Sequence, residues 1–423
     1  MDARADRPAA GRPASPESLG GRGRLAITAG KTVAAASRVT NLGSGSVIGG
    51  RVSLLLDKRL LWRLSRGREV ALVSATNGKT TTTRLLTAAL ATDRAVVSNA
   101  LGANMPPGHV AALGDAPPDA TAVLEVDERW LAHVMVDTTP STVVLLNLSR
   151  DQLDRSHEVR DLAARWREAL LTTPPIRVVA NADDPLVAWA AMSTPETVWV
   201  AAGASWRGDA AGCPACGGRL AFSEDGWSCT DCDLARPPID VTLDGSTVVL
   251  ADGTRVPLAL GLPGRVNRMN AAVALAAAYA MGADPRSAAA AMASVTDVAG
   301  RYRTVTHHGT ELRLLLAKNP AGWHEALDML DPPPQPVIVA INARIADGHD
   351  PSWLWDVPFE RLRGRVVIAT GERRLDLAVR LRYADVDHVV AATLDEAIAA
   401  CGAPKVDLAA NYTAFQEYLE TLS

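Results

Sequence analysis

A chain of 423 residues is too long for a single compact core and implies two or three domains. Hydrophobic residues make up 48% and charged residues 21%, the balance of a soluble α/β enzyme, and a net charge of −4 at pH 7 argues against a dedicated nucleic-acid binder. No apolar run is long enough to cross a bilayer and the first 24 residues lack the apolar core of a secretory signal, so a cytoplasmic protein is expected.

Residues 1–24, rich in Pro, Gly, Arg and Asp, have little to pack and read as a disordered tail. From Leu25 to about Ser65, small and apolar residues predict helix around a glycine-rich turn, Gly43 to Gly50. Regular alternation follows. Short β-rich runs at 69–75, 94–99, 121–127, 141–148 and 177–181 are separated by segments of helical period such as KTTTTRLLTAALAT and VRDLAARWREALLT. That pattern predicts a mostly parallel sheet covered on both faces. A hairpin is expected at VTLDGSTVVLADG and a core helix at VNRMNAAVALAAAYAMG. A second alternating series, ELRLLLAK, PVIVAIN, RVVIATG, HVVAA and KVDLAAN, predicts a smaller α/β domain over 304–423, leaving 25–303 as the main domain.

The stretch SATNGKTTTT, 74–83, ends the first β run and opens a helix, where backbone N–H groups and a helix N-terminus can hold phosphate oxygens. Gly78 would permit close backbone approach, Lys79 would neutralise the β/γ-phosphates, and the Thr80 hydroxyl would ligate Mg²⁺. Val73 stands where the generic loop has its first glycine. TAVLEVDERW places Glu125, Asp127 and Glu128 at the end of a buried run, and Glu125 is the candidate magnesium ligand.

Cys213-Pro-Ala-Cys216 and Cys229-Thr-Asp-Cys232 form two CxxC knuckles around Gly217 and Gly218, a pattern that predicts a zinc-ribbon insert over 205–236. Four thiolates close the coordination shell, so the role is structural. Disulfides are the alternative, disfavoured in a reducing cytosol. Cys401 reads as a small buried side chain, and His157 as a surface histidine rather than a general base.

Several of these motifs also carry a family likeness. SATNGKTTTT, NLSRDQLDR (147–155), NADDP (181–185) and LPGRVNRMNAA (262–272) are similar, in order, to motifs of the Mur ligases and folylpolyglutamate synthases. With the ribbon insert, LAKNPAGWHEAL (316–327), ADGHDPSWLWDVPFE (346–360) and GERRLDLAVRLRYA (371–384), the chain from about residue 30 onward resembles the MurT family, the ATP-dependent subunits of lipid II isoglutaminyl synthase. The resemblance implies a Mur-ligase-like α/β ATP-binding domain, a parallel sheet with a P-loop, carrying the zinc ribbon, and a Rossmann-like C-terminal domain. It implies phosphorylation of the α-carboxylate of D-glutamate in the lipid II stem peptide by Mg-ATP, then amidation to D-isoglutamine with ammonia from a GatD-like glutaminase in a one-to-one pair. Peripheral contact with the inner face of the membrane would follow.

By the same resemblance Thr76, Asn77, Gly78, Lys79, Thr80 and Thr81 form the phosphate loop, with Asn267, Asn270 and Arg301 around the nucleotide. Asp350 falls where relatives donate an aspartate to orient the partner's catalytic histidine, since a carboxylate fixes an imidazole tautomer. The chain departs from the family pattern at Ala75, which replaces a glycine, and at Ala343 and Arg344, which replace Asp and Asn. Trp353 and Trp355 read equally as interface anchors or core. Two rivals stand beside the amidotransferase reading: a self-sufficient Mur or folylpolyglutamate-type amino-acid ligase, and a non-catalytic nucleotide-gated scaffold.

Overall fold

The computed structural model describes residues 19–39, 46–99, 103–150, 159–204, 206–296 and 302–422. The chain opens with three helices, α1 (Gly21–Val39), α2 (Ser46–Leu56) and α3 (Leu60–Ser65). Helix α1 corrects the expected tail at its end: Gly21 to Arg24 are helical, and Arg22 Nε donates to the Leu56 carbonyl at 2.7 Å. The expected glycine turn is corrected too, because Gly49 and Gly50 lie inside α2. Their role is close approach. A Cβ on Gly49 would lie 2.5 Å from the Gly30 carbonyl of α1, and one on Gly50 would lie 1.9 Å from the Pro107 carbonyl. Residues 43–45, the start of that expected turn, lie outside the described residues.

The main domain follows as β1 (Val70–Ser74), α4 (Lys79–Leu90), β2 (Val96–Ser98), α5 (Pro106–Asp115), β3 (Thr121–Val126), α6 (Leu131–Thr138), β4 (Thr142–Leu145), α7 (Val159–Thr172), β5 (Arg177–Asn181), α8 (Pro185–Ala191) and β6 (Thr197–Ala201). A small hairpin, β7 (Leu220–Phe222) and β8 (Trp227–Cys229), precedes the meander β9 (Val241–Asp244), β10 (Thr247–Val249) and β11 (Arg255–Pro257). Helices α9 (Arg265–Ala280) and α10 (Pro285–Met292) complete it. The sheet order is β11-β10-β9-β6-β5-β4-β1-β3-β2, parallel from β9 through β2 and antiparallel across the meander. Strand β1, VALVS, is buried throughout, as a parallel strand covered on both faces must be. Ala71 and Val73 face α4 and α9, while Val70 and Leu72 pack towards α3 and α5. The strand order reverses around β1, and in open α/β sheets the crevice beyond the strand ends at such a reversal is where ligands bind.

The C-terminal unit comprises β12 (Tyr302–His307), β13 (Thr310–Leu316), α11 (Pro320–Met329), β14 (Val337–Ala340), β15 (Val367–Thr370), α12 (Arg374–Tyr383), β16 (His388–Val390), α13 (Leu394–Cys401), β17 (Lys405–Ala410) and α14 (Tyr412–Thr421). Its sheet runs β12-β13-β17-β14-β15-β16, parallel except for the edge strand β12. The α/β class with two sheet domains is as expected. Cys401 is half-buried against the α13–α14 face, and that burial pushes its thiol up to about 12. Helix starts follow a local rule: Asp184, Asp284 and Asn319 each cap a helix whose first residue is proline, which fixes φ where no N–H partner is needed. Among the described residues no helix is long and apolar enough to cross a membrane.

Candidate nucleotide and metal sites

The loop after β1 turns into α4 through Gly78, whose φ of +82° a side chain would strain. A Cβ there would also lie 2.5 Å from Asn270 Oδ1, so the expected loop glycine and the expected α9 asparagine meet. The loop is braced from β4's extension. Thr76 N donates to the Asn147 carbonyl (2.9 Å), Asn77 N to Asn147 Oδ1 (2.9 Å), and the Thr76 hydroxyl both donates to the Ser149 carbonyl and accepts from its N–H. Ala75, the expected departure from the family pattern, is fully buried.

Lys79 curls back over this loop. Its Nζ donates to the carbonyls of Ala75 and Thr76 and to Glu128 Oε2 at 2.9 Å, with both charged side chains only 8% exposed. A cation held at a helix N-terminus beside loop carbonyls is chemically suited to exchange those partners for phosphate oxygens. Thr80 and Thr81 open α4, Thr81 buried and Thr80 half-buried. Glu125 is buried on β3, its Oε1 accepting from Asn104 Nδ2 at 3.3 Å. The carboxylate that meets Lys79 is therefore Glu128, a residue present in the sequence motif yet not distinguishable there from Glu125. Asn267 Nδ2 turns back onto the Pro263 carbonyl at 2.5 Å. Arg301 and His157 lie outside the described residues, as does the 151–155 part of the NLSRDQLDR motif.

Two groups beyond the sequence reading complete the site. Asn319, the cap of α11 in the C-terminal unit, exchanges side-chain hydrogen bonds with Asn77 at 3.2 and 3.3 Å, tying that unit to the phosphate loop. Asn319 was legible as a helix cap before Pro320, but nothing local revealed its reach across 242 positions. Beside Asn77 and Asn270, a recess is lined by Asn181, Asp184, Gly203 and Trp206. Asp184 caps α8 and also accepts from Leu148 N. Burial pushes its carboxyl up to about 6 despite those amide bonds.

His109, in α5, is fully buried with Nε2 2.8 Å from the Glu125 carbonyl, and burial holds its pKa down to about 4. Because the folded value lies below the ordinary 6.5, protons bind the unfolded chain first and stability drains as pH falls from 6.5 towards 4. Measured by urea unfolding against His109→Gln, wild type is expected to lose about 2 kcal/mol more than the variant between pH 7.5 and pH 5.

The four ribbon cysteines place their sulfurs within 4.8 Å of one another, Cys213–Cys232 at 3.7 Å and Cys216–Cys229 at 3.5 Å. Tetrahedral zinc with bonds of about 2.3 Å needs sulfurs about 3.8 Å apart, so the donor set fits that ion. A disulfide requires about 2.05 Å, and all five cysteines are free thiols. Each knuckle aims an amide at sulfur: Gly218 N at Cys216 and Asp231 N at Cys229, both 3.3 Å, and the latter draws the Cys229 thiol down to about 7. The ribbon packs on α8 through Trp227, whose Nε1 donates to the Ala182 carbonyl. Arg236 pairs with Asp183 at 2.6 Å, while Asp209 holds both Arg150 and Trp206, so the ribbon forms one side of the recess.

In the C-terminal unit Asp350 is exposed and accepts from Ser352 N at 2.8 Å. Trp353 is core, stacked on Trp323, whereas Trp355 is 54% exposed and meets the edge of Tyr383. Arg344 pairs with Glu372 and Glu417, which hold its pKa up, so the departure at 344 is internally compensated.

Residues 73–278 match the Mur ligase middle domain and residues 316–415 the MurT ligase C-terminal domain. A Streptococcus pneumoniae lipid II isoglutaminyl synthase subunit MurT is 31% identical over 374 residues, covering 81% of this chain and 83% of the relative. The chain belongs to the MurT family. The Staphylococcus aureus MurT subunit is 27% identical over 81% of this chain and 84% of its own. Among solved structures, a pseudomurein peptide ligase type C from Methanothermus fervidus aligns with a TM-score of 0.65 at 21% identity, covering 84% of this chain and 79% of its own. The MurF ligase of Thermotoga maritima in complex with ADP aligns with a TM-score of 0.60 at 18% identity, covering 88% and 83%. Both share the Mur ligase fold with this MurT-family chain.

Proposed function

We propose that this MurT-family chain is the ATP-dependent synthetase subunit of a glutamine-dependent amidotransferase that converts D-glutamate of the lipid II stem peptide to D-isoglutamine. The observation that carries the reading is the buried Lys79–Glu128 pair on a loop braced at once by Asn147, Ser149 and, from the C-terminal unit, Asn319. Such a loop holds a phosphate-binding cation in one place before substrate arrives. ATP supplies the phosphoryl group that makes an unreactive carboxylate an acyl donor. Lys79, the Gly78 amide and the backbone amides that open α4 would bind the phosphates, Thr80 and Glu125 would hold Mg²⁺, and Asn267, Asn270 and Arg301 would line the nucleotide site. The two relatives are lipid II isoglutaminyl synthase subunits, which favours amide formation over a passive scaffold.

Ammonia would come from a GatD-like glutaminase. Supporting a docked partner, Leu375, Val379 and Tyr383 stand 66%, 51% and 73% exposed at i, i+4 and i+8 on α12, continuous with Trp355 and five residues from the Asp350 loop. Asp350 on that surface would orient the partner's histidine. The reading is tested by ADP release with lipid II: turnover with ammonium and not with free amino acids supports it, and the reverse favours the self-sufficient ligase.

The ribbon would hold structural Zn²⁺. Cys229→Ser, or chelation, is expected to lower Tm and raise the KM for ATP more than it lowers kcat, because the ribbon reaches the recess through Trp206 and is tied beside it by the Arg236–Asp183 pair rather than touching the loop lysine. Metal analysis should give one zinc per wild-type chain and loss of it in the variant.

A further inference from the structure

Charge in this chain is divided unevenly. Residues 19–68 hold ten Lys and Arg and a single carboxylate, Asp57, a net +9 that leaves −13 for the rest of a chain whose sum is −4. Asp57 is buried and paired with Arg63 at 3.1 Å, so it does not offset the surface. Lys31 is paired with Asp115, and Arg68 donates to backbone carbonyls of Leu64 and Ala120. Arg24, Arg51, Lys58 and Arg59 remain exposed, and none pairs with a carboxylate among the described residues.

The same surface exposes large apolar side chains. Leu25 is 65% and Leu55 76% exposed, with Ile48 and Leu56 near 40%. Ile48, Arg51 and Leu55 fall at i, i+3 and i+7, one stripe of α2. The Arg22–Leu56 bond brings the start of α1, with Arg24 and Leu25, against the end of α2, so leucines and cations share one end of the hairpin. Trp62 extends it, with Arg59 and Arg66 over its ring at 4.8 and 4.7 Å.

We propose that the α1–α2 hairpin is a docking surface for an anionic phospholipid bilayer, with Leu25 and Leu55 entering the headgroup region and Arg24, Arg51, Lys58 and Arg59 meeting lipid phosphates. Exposed leucines interleaved with cations, on a hairpin whose helices are not long and apolar enough to span a bilayer, suit lying in an interface rather than across it. A nucleic acid would use the arginines and leave the leucines idle, so the leucines separate the two partners. Behind the hairpin, a groove of about 300 Å³ between α1, α2 and α5 includes Ser98 and Asn99 in its wall. Asn99 exchanges two hydrogen bonds with the Glu125 backbone, at 2.8 and 2.9 Å. Through Asn99 the hairpin's groove is joined to the strand that carries the candidate magnesium carboxylate. This goes beyond the reaction assigned above: vesicle binding requires no turnover, so either reading can fail while the other stands.

The test is co-sedimentation of the full chain with phosphatidylcholine vesicles, with and without phosphatidylglycerol. The wild type is expected to bind only the phosphatidylglycerol vesicles and to be released by salt. Arg24→Gln/Arg51→Gln/Lys58→Gln should weaken binding about a hundredfold, at roughly fivefold per cation, and Leu25→Gln/Leu55→Gln roughly tenfold or more. Both sets are exposed, and unchanged near-UV CD checks their folding. A control of equal charge loss elsewhere, Arg286→Gln/Arg303→Gln/Arg382→Gln, should keep full binding. Absence of binding to phosphatidylglycerol vesicles, equal loss in the control, or leucine variants that bind as wild type does would each overturn the proposal. So would loss of the glutaminase partner on size exclusion in the leucine variant with vesicle binding intact, since the surface would then be a protein interface.

Discussion

Lys79→Met is expected to lower ammonium-driven ADP release by at least about 10²–10³-fold, because the ammonium is the charge that follows the transferred phosphoryl. The same change should destabilise the fold by about 3–5 kcal/mol, since Glu128 would be left buried without its cation. The two effects separate in Lys79→Met/Glu128→Gln, where neutralising the carboxylate recovers most of the stability in urea unfolding and none of the turnover. A structural role alone for the lysine predicts that the double variant regains activity. Retention of ammonium-driven turnover in Lys79→Met would place the phosphate site elsewhere.

The second large effect is a selective one. Asp350→Asn should remove glutamine-driven amidation by at least about 10³-fold while leaving the ammonium-driven reaction within about twofold, because the carboxylate acts on the partner's histidine and not on phosphoryl transfer. The side chain is exposed and receives only the Ser352 amide among the described contacts, so the substitution costs little folding energy. Binding of the partner, followed by size exclusion, should persist through Trp355, Val379 and Tyr383. If both ammonia sources fail together in a folded, paired variant, Asp350 serves the synthetase site and the assignment is wrong.

Local signals carried the fold a long way. β1, β3, β4, β5, β14, β15 and β17 were legible because parallel strands buried on both faces read as largely apolar runs, and the less buried edge strands β2 and β16 were legible from their paired valines. Strand β6, TVWVA, is absent from the expected elements although Val198 to Ala202 form an unbroken apolar run, and its mostly half-buried side chains reflect its place between β5 and the meander. Gly49 and Gly50 read as a turn because glycine marks both turns and helix crossings, and only the nearness of Gly30 and Pro107 decides between them. The cysteine spacing specified its cluster outright, since two knuckles suffice to bring four sulfurs together. Glu128 could not be told from Glu125 by position, because which carboxylate reaches a lysine on another element depends on the turn after β3. The Asn77–Asn319 pair lay further out of reach, being a contact between units with no local pattern.

The claim on which the rest depends is that the loop at 75–80 serves to pass a phosphoryl group to a carboxylate. It is tested most directly by following ¹⁸O from the labelled α-carboxylate of the D-glutamate in lipid II during ammonium-driven turnover with Mg-ATP. One labelled oxygen should appear in each inorganic phosphate released, in step with amide formed, and none in the Lys79→Met reaction. Phosphate released without label, while D-isoglutamine accumulates, would contradict the account.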